Sequence, residues 1–134
     1  MMTFKKSWLV LLCASLGAGL TSQVQAHHSF AAYNMSRTVT VAGTLKEFRW
    51  GAPHSSMVVV YVEKGQTKQM SLVSGSPLMF SKQGLSPRDF KRGDKVTVVY
   101  HPNVSGQPGG ALAGLRLSSG KAFQDTEATR QLQN

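Results

Sequence analysis

One cysteine and six acidic residues are all that this 134-residue chain has of either kind. A lone thiol, Cys13, allows no internal disulfide and no multi-cysteine metal site. The acids are Glu47, Glu63, Asp89, Asp94, Asp125 and Glu127, and no spacing among them pairs two carboxylates for general acid–base work. There is also no phosphate-binding glycine loop and no dinucleotide fingerprint. Ser55 and Ser56 follow His54, yet neighbours in an extended chain point apart and no acid is placed to orient the ring. These absences remove the common enzyme constellations, and the chain is expected to be non-enzymatic.

What is present begins with a targeting signal. Lys5 and Lys6 form a charged start, Trp8 to Leu20 is an apolar run broken only by small residues, and Val24-Gln25-Ala26 offers a signal peptidase small side chains. Cleavage after Ala26 and release into the periplasm are expected. A retained membrane anchor is the alternative, set aside because the apolar run falls short of the roughly 20 residues that a span needs. Cleavage would remove Lys5, Lys6 and Cys13, leaving residues 27–134 with 13 basic and 6 acidic residues, a charge of +7 with histidines neutral. Such charge raises nucleic acid as a partner. An exported protein seldom meets any, so no nucleic acid is expected, and anionic envelope material or simple solubility explains the charge better.

The remaining chain, 41% apolar over its full length, can supply one modest core. Alternation from Thr38 to Trp50 predicts a long first strand, with Val39, Val41, Gly43, Leu45 and Glu47 on one face and Phe48 on the other. Gly43 in mid-strand predicts a bulge or a close backbone approach. Gly51-Ala52-Pro53 interrupts; Met57–Val62 and Thr67–Val73 form the next two strands around a turn at Glu63–Gln66, with Val58–Val60 expected to be buried on both faces. Ser76 and Pro77 then open a helical stretch to Gln83, stopped by Gly84. Lys95–His101 and Ala111–Leu117 are the fourth and fifth strands, separated by a glycine- and proline-rich loop, and Ser119–Phe123 extends the last pairing.

That order predicts an all-β fold with one short helix: a small five-stranded OB-fold-like Greek-key barrel, β-β-β-α-β-β. An open sandwich is the alternative. The barrel domain would occupy residues 27–123, with 124–134 a mobile polar tail holding too little apolar surface to fix itself in place.

The candidate sites lie at the mature terminus and in the loop after the first strand. Cleavage after Ala26 would free the amine of His27, which with the rings of His27 and His28 can chelate a borderline-soft ion. His54, if residues 27–33 fold back over the barrel mouth, would complete a copper site with His27 and His28; otherwise its ring orders the loop. Trp50, His54 and Ser55 are the candidate ligand-binding residues, with Phe48 read as core and His101 as an exposed polar residue.

The run AHHSFAAY after the signal, VAGTLKEFRW followed by GAPHS, the GSP before KQGL, the FKRGDKVTV turn and the late LSSGKAF resemble the small secreted bacterial family known as domain of unknown function 6152. The resemblance spans nearly the whole mature chain and implies export and a small β-barrel, with no established activity. Relatives carry Asn where Ala52 stands and an acid in the third strand, where Met70 to Ser74 has none. The expectation is therefore an exported barrel that binds a small ligand or an envelope protein, with a copper-binding protein as the alternative. After cleavage it would not be integral to the membrane.

Overall fold

The computed structural model describes residues 30–130. Five strands carry the fold: β1 (Val39–Arg49), β2 (Ser56–Glu63), β3 (Gln66–Val73), β4 (Lys95–Pro102) and β5 (Gly109–Leu117). β1 pairs antiparallel with β2 and β4, β2 with β3, and β4 with β5; a short parallel pairing of β3 with β5 closes the ring. This is the expected five-stranded barrel, and the closure excludes the open sandwich. Among the described residues no helix is long and apolar enough to cross a membrane.

Local chemistry places these elements. Lys64 and Gly65 both take positive φ (50° and 77°), the geometry that lets a two-residue turn follow the twist of β2 and β3. Gly43 lies so close to β2 that a Cβ would stand 2.5 Å from the carbonyl oxygen of Val60, so the expected close approach is there. The bulge is at the next turn of the strand. Leu45 faces Val59 and Glu47 faces Val58, leaving Lys46 as an extra residue. One extra residue reverses the alternation. Glu47, expected on the inner face, is exposed, while Phe48 and Trp50 turn toward the core.

Inside the barrel, Leu45, Met57, Val59, Met70, Leu72, Val98, Leu112 and Leu115 form the core. Val58 and Val60 are only half-buried, contrary to the expectation for the Val58–Val60 run, because none of the described elements covers the outer face of β2. A helix α1 (Pro77–Lys82) follows β3 as expected, although the Ser76 hydroxyl at its start makes no capping bond. Its one fully buried side chain, Phe80, plugs one end of the barrel. It stacks on Phe123 (centroids 3.9 Å apart) and meets Phe48 and Phe90 edge-on, while Trp50 sits 5.6 Å away.

Two short elements follow β5. β6 (Ala122–Gln124) adds to the edge of β5, and α2 (Thr126–Arg130) follows. Gln124 and α2 fall within residues 124–134, the stretch read from the sequence as a polar tail, and the helix contacts β5. The Asp125 carboxylate accepts the amides of Glu127 and Ala128 (3.0 Å each), its own N–H donates to the Ala113 carbonyl at 2.8 Å, and Ala128 is buried. Ala113 is itself the extra residue of a second bulge, between the Val99–Gly114 and Tyr100–Leu112 pairs, and so has a carbonyl free for Asp125.

Candidate functional site

The loop between β1 and β2 splits the residues that the sequence groups together. Trp50 leaves β1 on its inner face and joins Phe48, Phe80 and Phe90. A cis Ala52–Pro53 bond follows, and the chain turns so that Ser55 is fully buried, its hydroxyl 3.4 Å from the Gly51 carbonyl. His54 between them stays exposed. Its Nδ1 lies 3.2 Å from the carbonyl oxygen of Ser74. A carbonyl only accepts, so Nδ1 is the donor in this contact.

Backbone bonds fasten this loop to the end of β3. The Ser55 N–H donates to the Gly75 carbonyl (2.9 Å) and the Ser74 N–H to the Ser55 carbonyl (2.8 Å). Ser74 is only 5% exposed, and its Oγ is the one buried side-chain polar atom without a partner among the described residues. A buried hydroxyl left unpaired costs about 1–3 kcal/mol.

Ser74 and His54 line a cavity of about 280 Å³. Val73 and Gly75 continue its β3 wall, Ala111 and Leu112 of β5 form the opposite wall, Asp125 and Glu127 one margin, and Phe30 and Tyr33 another. The last pair is held there by a short segment that crosses the barrel end. Tyr33 bridges Asn103, the Asn34 N–H donates to the Pro102 carbonyl at 2.8 Å, and the Val104 N–H donates to the Ala32 carbonyl at 2.9 Å. Residues 30–33 therefore do dock, which the sequence left open. A broader hollow of about 630 Å³ spreads over Ala42, Val60, Lys95, Thr97 and Arg116 on the barrel's outer face.

Of the three expected ligand-binding residues, only His54 lines the smaller cavity. Trp50 belongs to the aromatic cluster and Ser55 to the interior, so the structure does not bring the three together. His27 and His28 lie outside the described residues, as does the expected signal segment; among the described residues no three His, Cys, Asp or Glu side chains gather as metal ligands would. His101, read as exposed, is 1% exposed: the segment leading to β1 covers it, and the Arg37 carbonyl lies 2.9 Å from its Nδ1. Sequence reasoning missed Ser74, Asp125 and Glu127. Asp125 ahead of Thr-Glu-Ala carries a helix-start signal that could have been read; nothing local marks Ser74.

The fold and cavity define a small closed β-barrel with a lateral pocket at its seam. The chain belongs to a family of unknown function, DUF6152, whose model matches residues 16–113. The match ends within β5, so the margin built by Asp125 and Glu127 lies beyond it. A comparison with curated proteins finds no match.

Proposed function

We propose that this protein is an exported, periplasmic binding module that holds a small ligand in the seam pocket and performs no catalysis. The observation that carries the reading is the 280 Å³ cavity itself, where the apolar Val73, Ala111 and Leu112 meet the polar residues His54, Ser74, Asp125 and Glu127. Mostly apolar walls with a few convergent polar groups are the usual composition of small-molecule sites. Export is supported by Lys5-Lys6, the apolar run and the Val24-Gln25-Ala26 site. The non-catalytic reading is supported by Ser55, whose hydroxyl turns inward beside His54 rather than toward the pocket.

Nuclear magnetic resonance screening with small amphipathic fragments tests the binding reading. Shifts confined to the amides of Val73, Ser74, Ala111 and Leu112, lost in Ala111→Phe, are expected. Ser74→Ala should leave stability unchanged or higher, since it deletes an unpaired hydroxyl. Fragments that shift only the outer hollow, or none at all, would remove the pocket from consideration.

A second reading, copper binding through His27, His28 and His54, draws support from Phe30. That residue lines the same cavity as His54, and the two and three residues of chain back to His28 and His27 span at most about 7 and 11 Å. Cu(II) titration of protein with a verified His27 terminus tests it: affinity should fall in His54→Ala, and an unchanged affinity rejects the three-histidine site.

A further inference from the structure

At the other end of β3 from the seam pocket, β1 changes partners. Its pairing with β2 ends at Thr44–Val60, while its pairing with β4 runs on to Val39–Tyr100, so the tip of the β2–β3 hairpin splays away from the start of β1. The fork opens into a groove of about 570 Å³ whose third side is the loop from β4 to β5. Two tyrosines anchored in the core form its floor. Tyr100 is 8% exposed, and Tyr61, half-buried, packs on the core while still lining the groove. Polar side chains surround them, and their own bonds set them in place. The Lys68 ammonium and the Glu63 carboxylate pair at 2.6 Å beside the hairpin turn. Asn103 Nδ2 donates to the Gln107 carbonyl at 3.1 Å, leaving its Oδ1 to accept, and Asn34 Oδ1 accepts the Ser36 hydroxyl at 2.7 Å, leaving its amide hydrogens to donate. The Arg37 guanidinium adds a planar fork of donors.

We propose that this groove is a saccharide site, taking one or two sugar rings. A sugar ring has C–H faces that an amphipathic aromatic such as Tyr61 can cover, and a rim of hydroxyls that each donate and accept. Planar amide, carboxylate and guanidinium groups meet such hydroxyls in pairs, and all three kinds border this groove. Its volume falls within the roughly 300–1,000 Å³ of small-molecule sites. Side chains already held by the ion pair and the two amide bonds lose less freedom when a ligand arrives. An apolar ligand would dry these polar groups without satisfying them. A nucleic-acid strand also uses aromatic platforms, but its phosphates would have to pass the Glu63 carboxylate. The seam pocket differs in kind and stands or falls separately.

Nuclear magnetic resonance titrations of the full chain with cellobiose, maltose, N,N′-diacetylchitobiose and digalacturonate test the proposal, with sorbitol and a thymidine tetranucleotide as comparisons. At least one disaccharide should bind about tenfold more tightly than sorbitol, which has the hydroxyls but no ring face. It should move the amides of Tyr61, Lys68, Asn103 and Gln107 and leave those of Ser74 and Leu112 in place. Tyr61→Leu should lower that affinity about tenfold. Arg37→Ala and Gln107→Ala, both at exposed positions, should each lower it severalfold without altering the unfolding midpoint. Silence of the groove amides toward all four disaccharides, an equal response to sorbitol, tighter binding of the tetranucleotide, or indifference to all three substitutions overturns the inference. Shifts at Ser74 and Leu112 alone would move sugars to the seam pocket and overturn it equally.

Discussion

Gly109 lies against the carbonyl of Ser71 across the parallel seam, so closely that a Cβ at Gly109 would overlap that oxygen. Gly109 also has a φ of 101°, where a side chain is strained regardless of space. Gly109→Ala should therefore cost roughly 2–4 kcal/mol in urea unfolding. Gly106→Ala, at a φ of 80° with open space around it, should cost only about 1–2 kcal/mol. Equal losses would mean that backbone conformation, not the close approach, governs the seam.

The bulge at Lys46 makes a sharper claim. Lys46→Ala removes a hydrogen bond to Gln69 at an exposed site and should change stability by no more than about 0.5 kcal/mol. Deleting Lys46 removes only the extra residue and keeps the Leu45–Val59, Glu47–Val58 and Phe48–Met57 pairs, so Phe48 and Trp50 should stay inward; inserting one alanine between Glu47 and Phe48 should turn both outward, at a cost of about 3–5 kcal/mol or loss of the fold. With Trp8→Phe in place, Trp50 emission should move to the red in the insertion variant and stay put in the deletion and the alanine variant. An insertion as benign as the deletion contradicts the parity argument.

His101 ties the segment of residues 30–37 to the end of β4. His101→Ala should destabilise by roughly 2–3 kcal/mol, combining a cavity with a lost hydrogen bond. Hydrogen exchange should accelerate first at Asn34 and Val104, whose amides fasten that segment. Uniform acceleration across the barrel would show that His101 serves the core as a whole.

Asp89 predicts an acid limb. The Lys121 ammonium, 2.8 Å away, and the Ser86 amide hold its carboxyl below the ordinary value of 3.8. A carboxylate lowered in the folded state contributes stability above its unfolded value and loses it as pH falls toward its folded one. Unfolding midpoints should therefore drop below about pH 4 in the parent protein. Asp89→Asn should show a shallower drop over the same range; an identical profile assigns the acid sensitivity to another carboxylate.

Elements were far more legible in the sequence than the site. Period-2 alternation, the Lys64–Gly65 turn and the Ser76-Pro77 opening are local signals, and each led to the element found. The bulge at Lys46 is not signalled, since no residue there demands it, and one uncounted residue exchanged the faces of Glu47 and Phe48. His101 was misread because its cover arrives from Arg37, 64 positions earlier in the chain. The site suffered most from proximity in sequence. Trp50, His54 and Ser55 are near neighbours whose side chains go to three different places, whereas Ser74, Leu112 and Glu127 meet only because the barrel closes.

The ladder joining β3 to β5 has three residue pairs, Ser71–Gly109, Leu72–Gly110 and Val73–Ala111, fewer than any other in the ring. The cavity beside it has one lip on each strand, Val73 and Ser74 on one and Ala111 and Leu112 on the other. Whatever sits there spans the joint like a clasp, and its affinity is repaid as resistance to unzipping: about 2.7 kcal/mol at a hundredfold excess over Kd, for a ligand that prefers the closed ring. Occupancy of this protein would then be read most directly as the slowing of exchange along its shortest ladder.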